Sequence, residues 1–486
     1  MSTKSTPAGA LITLITIFFF WGFVAASNDI LIPVFKDALS LSAGESQMIS
    51  FCFYVAYTVG SLIYFAASQI SKQDILNKIG YRNGLALGLL ISAVGTLLFI
   101  PAANNASFPL LLGGLFIVGL GFSLQQIAAN PLAIAMGDPA KGSQRLSLAG
   151  GINNVGTTIG PVIIAFAIFG SPNAGSTTMN LESVKLPYII LGIAFVLAAL
   201  MFKFSSVPDK IDSADTNDGS DVGTLDAHLT KKESAKSDKK GPFSYPQLYF
   251  GMIAIFMYVG VEVSTASNLP DFMKQSVGMP SSGIAPYVSL FWASLMIGRW
   301  TSASGAFNVS NSVKQILNLA LPFVAFLIFL FVNSIAGHEM KDFYFYAAFI
   351  VLLIVVDRLS GGKPSRQLMI YSVFAIVALI TGIFASGMIS AWAFILVGLF
   401  CSTLWPCVFT LAITGLGRHT NEGSSFLIMM IMGGGVVSLI QGKLAEPHLL
   451  GIQNSYWVGV VCFIYLAFYA WKTRNLDTSN TQAAAH

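Results

Sequence analysis

Charge is scarce in this 486-residue sequence: Asp, Glu, Lys and Arg supply 10% of it, against 55% hydrophobic residues. Soluble domains carry roughly a quarter charged residues, so a mostly water-exposed surface is excluded and an integral membrane protein is indicated. Cysteine is scarce too. Cys52, Cys401, Cys407 and Cys462 all sit in apolar segments without metal-ligand spacing, and read as packing residues. The five histidines, His228, His338, His419, His448 and His486, fall in expected loops or the tail, and there is no HExxH, GxSxG, P-loop or Cys/His cluster. Nothing argues for catalysis or a cofactor, so the chain is expected not to be an enzyme. A net charge of +4 calls for no nucleic-acid partner.

What the sequence has in abundance is apolar runs of about 20 residues, the length of a membrane helix rather than of a barrel strand. They recur near 11–35, 47–69, 84–103, 108–136, 146–170 and 186–204, and again near 246–273, 284–306, 313–335, 343–356, 368–387, 391–415, 424–445 and 449–471. The first run passes through Asn28 and Asp29 to Ile32 and is followed by many others, which argues against a cleaved signal peptide. The expectation is an all-α membrane protein of about 14 transmembrane helices. Between the two sets, residues 205–243 are rich in Asp, Lys, Gly and Ser and read as a linker unable to bury a core.

With the N-terminus placed in the cytoplasm, only Lys36, Lys185, Lys274, Lys341 and Lys443 of the 26 basic residues fall on the outer side, leaving 21 inside. Both termini, the linker and the tail at 473–486 are therefore expected in the cytoplasm. The two halves read as copies in one orientation. Trp21-Gly22, Ser27-Asn28 and Pro33 correspond to Tyr258, Gly260, Ser267-Asn268 and Pro270. Gly114-Leu-Phe116 corresponds to Gly398-Leu-Phe400, and Gly150-Gly151 to Gly433-Gly-Gly435.

Two carboxylates interrupt the runs. A charge at the centre of a membrane helix costs roughly 2.5–3.5 kcal/mol, so Asp29 and Glu262 are candidates for an ion or ligand site. The competing reading of Asp29 is a turn or cap residue before Pro33. Gln126 and Asn130 lie four apart, as do Asn153 and Thr157, so amides line one helix face and suit a hydroxyl-rich ligand. Asn130 has a second reading, in which its amide satisfies backbone groups freed by Pro131. In the second half the inward candidates are Glu262, Asn268, Trp292, Trp405 and Gln441. Arg299 reads as a snorkelling residue near a helix end, and the loop Lys72 to Gly84 as a conformational latch or topology signal.

At Trp21 to Pro33, Gln126-Ile-Ala-Ala-Asn-Pro131, Asn153, and Gly423-Ser-Ser-Phe426 with Gly433-Gly-Gly435, the chain resembles the fucose:proton symporter family of the major facilitator superfamily. That resemblance implies two six-helix bundles, at 9–204 and 244–472, alternating access, and import of a monosaccharide with a cation. Two extra helices at about 313–356 fall outside the twelve-helix pattern. In the fucose carriers the positions of Asp29, Gln126 and Asn153 are Asp, Glu and Asn; a Gln cannot release a proton. Glu262 within Tyr258 to Ser264 looks like the glucose and galactose branch, some members of which use sodium. The expected substrate is therefore a glucose- or galactose-like hexose, held by Gln126, Asn130, Asn153, Glu262, Asn268 and Trp405. Oxygen ligands from Asp29, Asn28, Gln126 and Asn153 would suit Na+, favoured over H+ as coupling ion. The resemblance further implies a monomer in the bacterial inner (cytoplasmic) membrane. A proton-coupled fucose-type symporter, an exporter of the same fold and a membrane sensor are the rival readings.

Overall fold

The computed structural model describes residues 8–39, 43–138, 141–169, 182–210, 241–306 and 310–476, and among them every regular element is a helix. Most of the expected linker, 211–240, lies outside the described residues, as does the tail from 477.

The first half comprises α1 (Ala8–Ala38), α2 (Ala43–Ser71), short α3 (Ile75–Ile79), α4 (Tyr81–Leu97), α5 (Phe99–Asn104), α6 (Phe108–Ala135), α7 (Gly142–Phe169) and α8 (Glu182–Lys203). The second comprises α9 (Pro246–Phe272), α10 (Ser281–Ala303), α11 (Asn311–Ile335), α12 (Tyr346–Ser360), α13 (Pro364–Phe384) and α14 (Gly387–Cys401). It continues through α15 (Leu404–Ile413), α16 (Thr420–Met429), α17 (Gly433–Leu444), α18 (Gly451–Asn454) and α19 (Trp457–Thr473). Polar residues mark the starts. The Ser107 hydroxyl accepts from Leu110 N ahead of α6, and Ser310 does the same for Val313 N at α11. Gly361, at φ 61°, ends α12 in the left-handed conformation that a side chain would strain.

Among the described residues eleven helical stretches are long and apolar enough to cross a membrane. Helices α1, α7 and α10 fall outside that set although they have 31, 28 and 23 residues. Because α1 runs unbroken through Asn28 and Asp29 to Ala38, Asp29 is neither a turn nor a cap residue.

The same pairing occurs twice. In the first half α1 packs on α7, α6 on α2 and α4, and α4 on α8; in the second α9 packs on α17, α14 on α10 and α13, and α13 on α19. Helices α11 and α12 have no counterpart in this scheme, α11 lying against α10 and α12 against α13. Glycines stand at both of the equivalent crossings, the matched Gly22 and Gly260 among them, whereas Gly150 and Gly151, matched in the sequence to Gly433-Gly-Gly435, face Arg299 and Trp300 of α10 instead. A Cβ on Gly22 would stand 1.9 Å from Asn153 O, and one on Gly433 2.1 Å from Phe256 O. Small residues let membrane helices approach at backbone distance, and the same solution serves α1/α7 and α9/α17.

Gly22→Val and Gly433→Val should each lower stability by about 1–3 kcal/mol, the usual effect of overpacking. Thermal unfolding of the detergent-purified protein reads this out, and an unchanged melting temperature would show that the crossings tolerate separation.

Candidate functional site

Two prolines set up the centre of the molecule. Proline has no N–H, so inside a helix it leaves the carbonyl four residues earlier without its partner. Pro406 in α15 does this to Ser402 O, and Arg299 Nε of α10 donates to that oxygen at 2.9 Å. Pro131 in α6 does it to Ile127 O, and the Ser424 hydroxyl of α16 donates there at 3.1 Å. This second bond joins the two halves. The Asn130 amide is not the partner for the freed backbone: Asn130 is buried, and both its amide atoms lack a hydrogen bond.

Held by Ser402, the Arg299 guanidinium reaches in two further directions. Nη1 donates to Gly150 O at 3.1 Å and to Asn154 Oδ1 at 2.7 Å, both on α7 of the first half, and Nη2 donates to the Tyr258 hydroxyl at 3.2 Å on α9. The Tyr258 hydroxyl in turn donates to the Glu262 carboxylate. The snorkelling reading of Arg299 is therefore overturned; the residue is 8% exposed and uses its donors inside the protein. The signal was present in the sequence, since an arginine within an apolar run incurs the same cost that singled out Asp29 and Glu262. Trp405 packs near this group, its ring 6.3 Å from that of Tyr258.

The amides separate into two kinds. Gln126 Nε2 donates to the Tyr57 hydroxyl at 3.1 Å, and half-buried Asn153 donates Nδ2 to Phe18 O of α1 at 2.9 Å. Gln125 accepts from Trp21 Nε1 at 2.8 Å and donates to Ser92, tying α6 to α1 and α4. Asn268 is engaged on its own helix, donating to Ser264 O, and the Thr157 and Thr158 hydroxyls both donate to Asn154 O. Buried Gln441 donates to Ser455. Helix α1 carries Asn28 and Asp29, whose side chains lie outside the described residues. Of the proposed sodium ligands, Gln126 and Asn153 thus have amide hydrogens engaged by protein oxygens on different helices, and nothing described brings them to one ion.

A second layer of contacts closes one end. Asp74 caps α3 by accepting from Asn77 N, and also accepts from the Tyr64 hydroxyl at 2.7 Å and from Asn421 Nδ2 at 2.9 Å. Tyr81 donates its hydroxyl to Asn421 Oδ1, Thr58 donates to Met429 O at 3.2 Å, and the Phe65 and Phe426 rings lie 4.9 Å apart. Asn421, Phe426 and Met429 belong to α16, so the loop read as a latch does join the halves. Nearby, Arg82 and Asp209 form an ion pair at 3.2 Å, half-exposed and therefore worth little.

Two similarly paired helical halves, meeting through a polar centre and fastened at one end, define a membrane carrier. The model of the major facilitator superfamily matches residues 10–351, and the chain belongs to that superfamily. A "Glucose/galactose transporter" of Brucella abortus biovar 1 (strain 9-941) is 32% identical over 472 residues, 96% of this chain and 95% of the relative. An "L-fucose-proton symporter" of Escherichia coli (strain K12) is 24% identical over 473 residues, covering 94% of this chain and 91% of the relative. The crystal structure of the major facilitator superfamily transporter FucP in the outward conformation superposes with a TM-score of 0.67 at 24% identity, covering 95% and 98% of the two chains. These findings bear out the resemblance read at Trp21–Pro33 and Gln126–Pro131. The chain is a multi-pass membrane transporter and not an enzyme. Sodium coupling gains no support, because the relative named for its ion is a proton symporter.

Asn421→Leu removes two bonds across the fastened end, and Ser424→Ala leaves Ile127 O unpaired, at about 1–3 kcal/mol for a buried orphan. Spin labels on Lys78→Cys and Arg418→Cys, in a background without the four native cysteines, should then report a longer-distance population in each variant. An unchanged distribution would mean that these bonds do not hold the end closed.

Proposed function

We propose that the chain imports a hexose of the glucose or galactose type together with a proton. The observation that carries this reading is the Glu262–Tyr258–Arg299 chain, because it connects a carboxylate in the second half to Gly150 and Asn154 of the first. The names of the relatives support the sugar and the proton.

The proposed architecture has fourteen membrane helices in two bundles, 9–204 and 244–472, with a linker at 205–243 and helices α11 and α12 inserted between the eighth and ninth core members. The basic-residue distribution supports an inner-membrane protein with both termini and the fastened end in the cytoplasm. In this arrangement the sugar enters from outside. Half-buried Gln126 and Trp405 and the unpartnered Asn130 amide supply hydroxyl and ring contacts; a buried amide without a partner is destabilising, which sugar hydroxyls would relieve.

While Glu262 is ionised, its charge balances Arg299 through Tyr258. A proton on Glu262 removes that balance and leaves the guanidinium as an uncompensated buried charge. Release of Gly150 and Asn154 then becomes favourable, and the fastened end can open. Asp29, on α1, is the second carboxylate of the proposed proton path. One proton moving down 100 mV contributes about 2.3 kcal/mol, enough to hold a neutral sugar at about fifty-fold accumulation.

Glu262→Gln and Asp29→Asn should each abolish accumulation of labelled glucose or galactose driven by a proton gradient in proteoliposomes, while exchange of sugar across the membrane persists. Retained accumulation in both variants would exclude these carboxylates from coupling. Accumulation driven by a sodium gradient but not by a proton gradient would overturn the ion. Arg299→Lys should slow exchange at least tenfold, because an ammonium cannot span four acceptors as the planar guanidinium does; exchange at the native rate would remove Arg299 from the clamp.

A further inference from the structure

Away from the polar centre, at the fastened end, lies a cavity of about 450 Å³ walled by both halves and by the inserted helices. The first half contributes Lys141 and Gln144, and the second contributes Thr410 and Gln367. Lys314 enters from α11, Asp357 and Arg358 from the end of α12, and Lys363 from the loop that follows. We infer that this cavity is a binding site for a phosphate-bearing anion, and that its occupancy holds the two halves in the fastened arrangement.

Three observations carry the inference. Lys314, Arg358 and Lys363 face a single carboxylate in the wall, Asp357, whose Oδ1 already accepts from Ser302 at 2.8 Å and from Gln367 at 2.7 Å, on α10 and α13. Lys314, Arg358 and Lys363 form no ion pair with a described residue. The wall also holds unpartnered polar atoms. Thr410 is 8% exposed and its hydroxyl has no hydrogen bond, and Gln144 Oε1 is buried without one. The general excess of Lys and Arg on a cytoplasmic face accounts for cations on the surface. It does not account for cations gathered around a cavity between the halves whose wall holds unpartnered polar atoms.

The chemistry selects the ligand class. A guanidinium and ammonium groups are the usual partners of phosphate oxygens, Arg as a planar fork and Lys as a point charge. Hydroxyl and amide groups around them suit the remainder of a phosphorylated polar molecule, and the volume exceeds what phosphate alone fills. A ligand touching both halves binds only the state in which both line the cavity, so it shifts the population toward that state and slows alternation. A phosphorylated sugar in the cytoplasm and the headgroup of an anionic phospholipid share this chemistry. The inference does not depend on which sugar or ion is carried.

The test begins with binding, measured on the detergent-purified full chain without transport. Glucose 6-phosphate or inorganic phosphate should raise the melting temperature saturably, and Lys314→Gln, Lys363→Gln and Thr410→Val should each weaken the effect at least threefold. Proteoliposomes loaded with glucose 6-phosphate should then show slower sugar exchange than those loaded with glucose alone, and the variants should lose the difference. In the second arm, protein in phosphatidylethanolamine vesicles is compared with protein in vesicles containing phosphatidylglycerol. If the soluble anions have no effect but phosphatidylglycerol slows exchange in the native chain and not in the variants, the site is filled by lipid. No effect of either source, or an effect in all three variants as large as in the native chain, overturns the inference.

Discussion

The structure depends on one constraint: inside a bilayer no water is available, so every backbone polar group must find its partner within the protein. The two central prolines show how much follows. Pro131 and Pro406 each leave a carbonyl without its helical donor, and the donors that replace it, Ser424 and Arg299, arrive from other helices. Once Arg299 is fixed by Ser402 O, its remaining nitrogens lie between Tyr258 on one side and Gly150 with Asn154 on the other. A local backbone defect thus positions the strongest charge in the centre, and the charge links the halves.

The two halves share a backbone solution and differ in their polar filling. Gly22 against Asn153 O and Gly433 against Phe256 O are close crossings of equivalent helix pairs, the glycine standing on the first helix in one and on its partner in the other. Near the first crossing the described hydrogen-bonded groups are neutral, Trp21 to Gln125 to Ser92, and they hold three helices of one half together. Around the second they are charged and lead out of the half through Arg299. Neutral hydrogen bonds in a membrane interior contribute about 0.6 kcal/mol on average. A buried cation whose partner is lost is far more costly. The hydrogen-bonded group of Glu262, Tyr258 and Arg299 thus lies in the second half and reaches across to Gly150 and Asn154 of the first.

Much of this was legible in the sequence, because the length and composition of an apolar run reflect the thickness of the membrane. The run near 313–335 is the helix Asn311–Ile335, and the matched Gly22 and Gly260 fall at equivalent crossings, although Gly150 and Gly151 meet α10 where Gly433 meets α9. Helix interruptions were not legible. The run near 391–415 is divided at Ser402 and Thr403, and that near 424–445 at Met430–Met432, where the local geometry answers to tertiary contacts. Arg299 was underestimated for a related reason: its partners lie 41 and 145 residues away in the chain, and no spacing rule brings Tyr258 and Asn154 to it. Asn130 was recognised as unusual, and of its two readings the backbone one fails, since Ser424 supplies the bond that Pro131 requires.

The inserted pair α11 and α12 follows the same logic of partner-finding. Only 22% of the apolar window of α11 is buried, so this helix presents most of its surface to its surroundings and adds little to the centre. The end of α12 is different. The sequence run near 343–356 stops just before Asp357; the helix continues to Ser360 and carries the carboxylate inward. There Ser302 of α10 and Gln367 and Tyr371 of α13 donate to it, so α12 is bonded to both helices that flank the insertion. Helix α10 is also the one that carries Arg299. A displacement of α10 that releases Gly150 and Asn154 must therefore either carry α12 with it or break a buried carboxylate away from its donors. The second course is the more costly, so the insertion moves with the second half as one body.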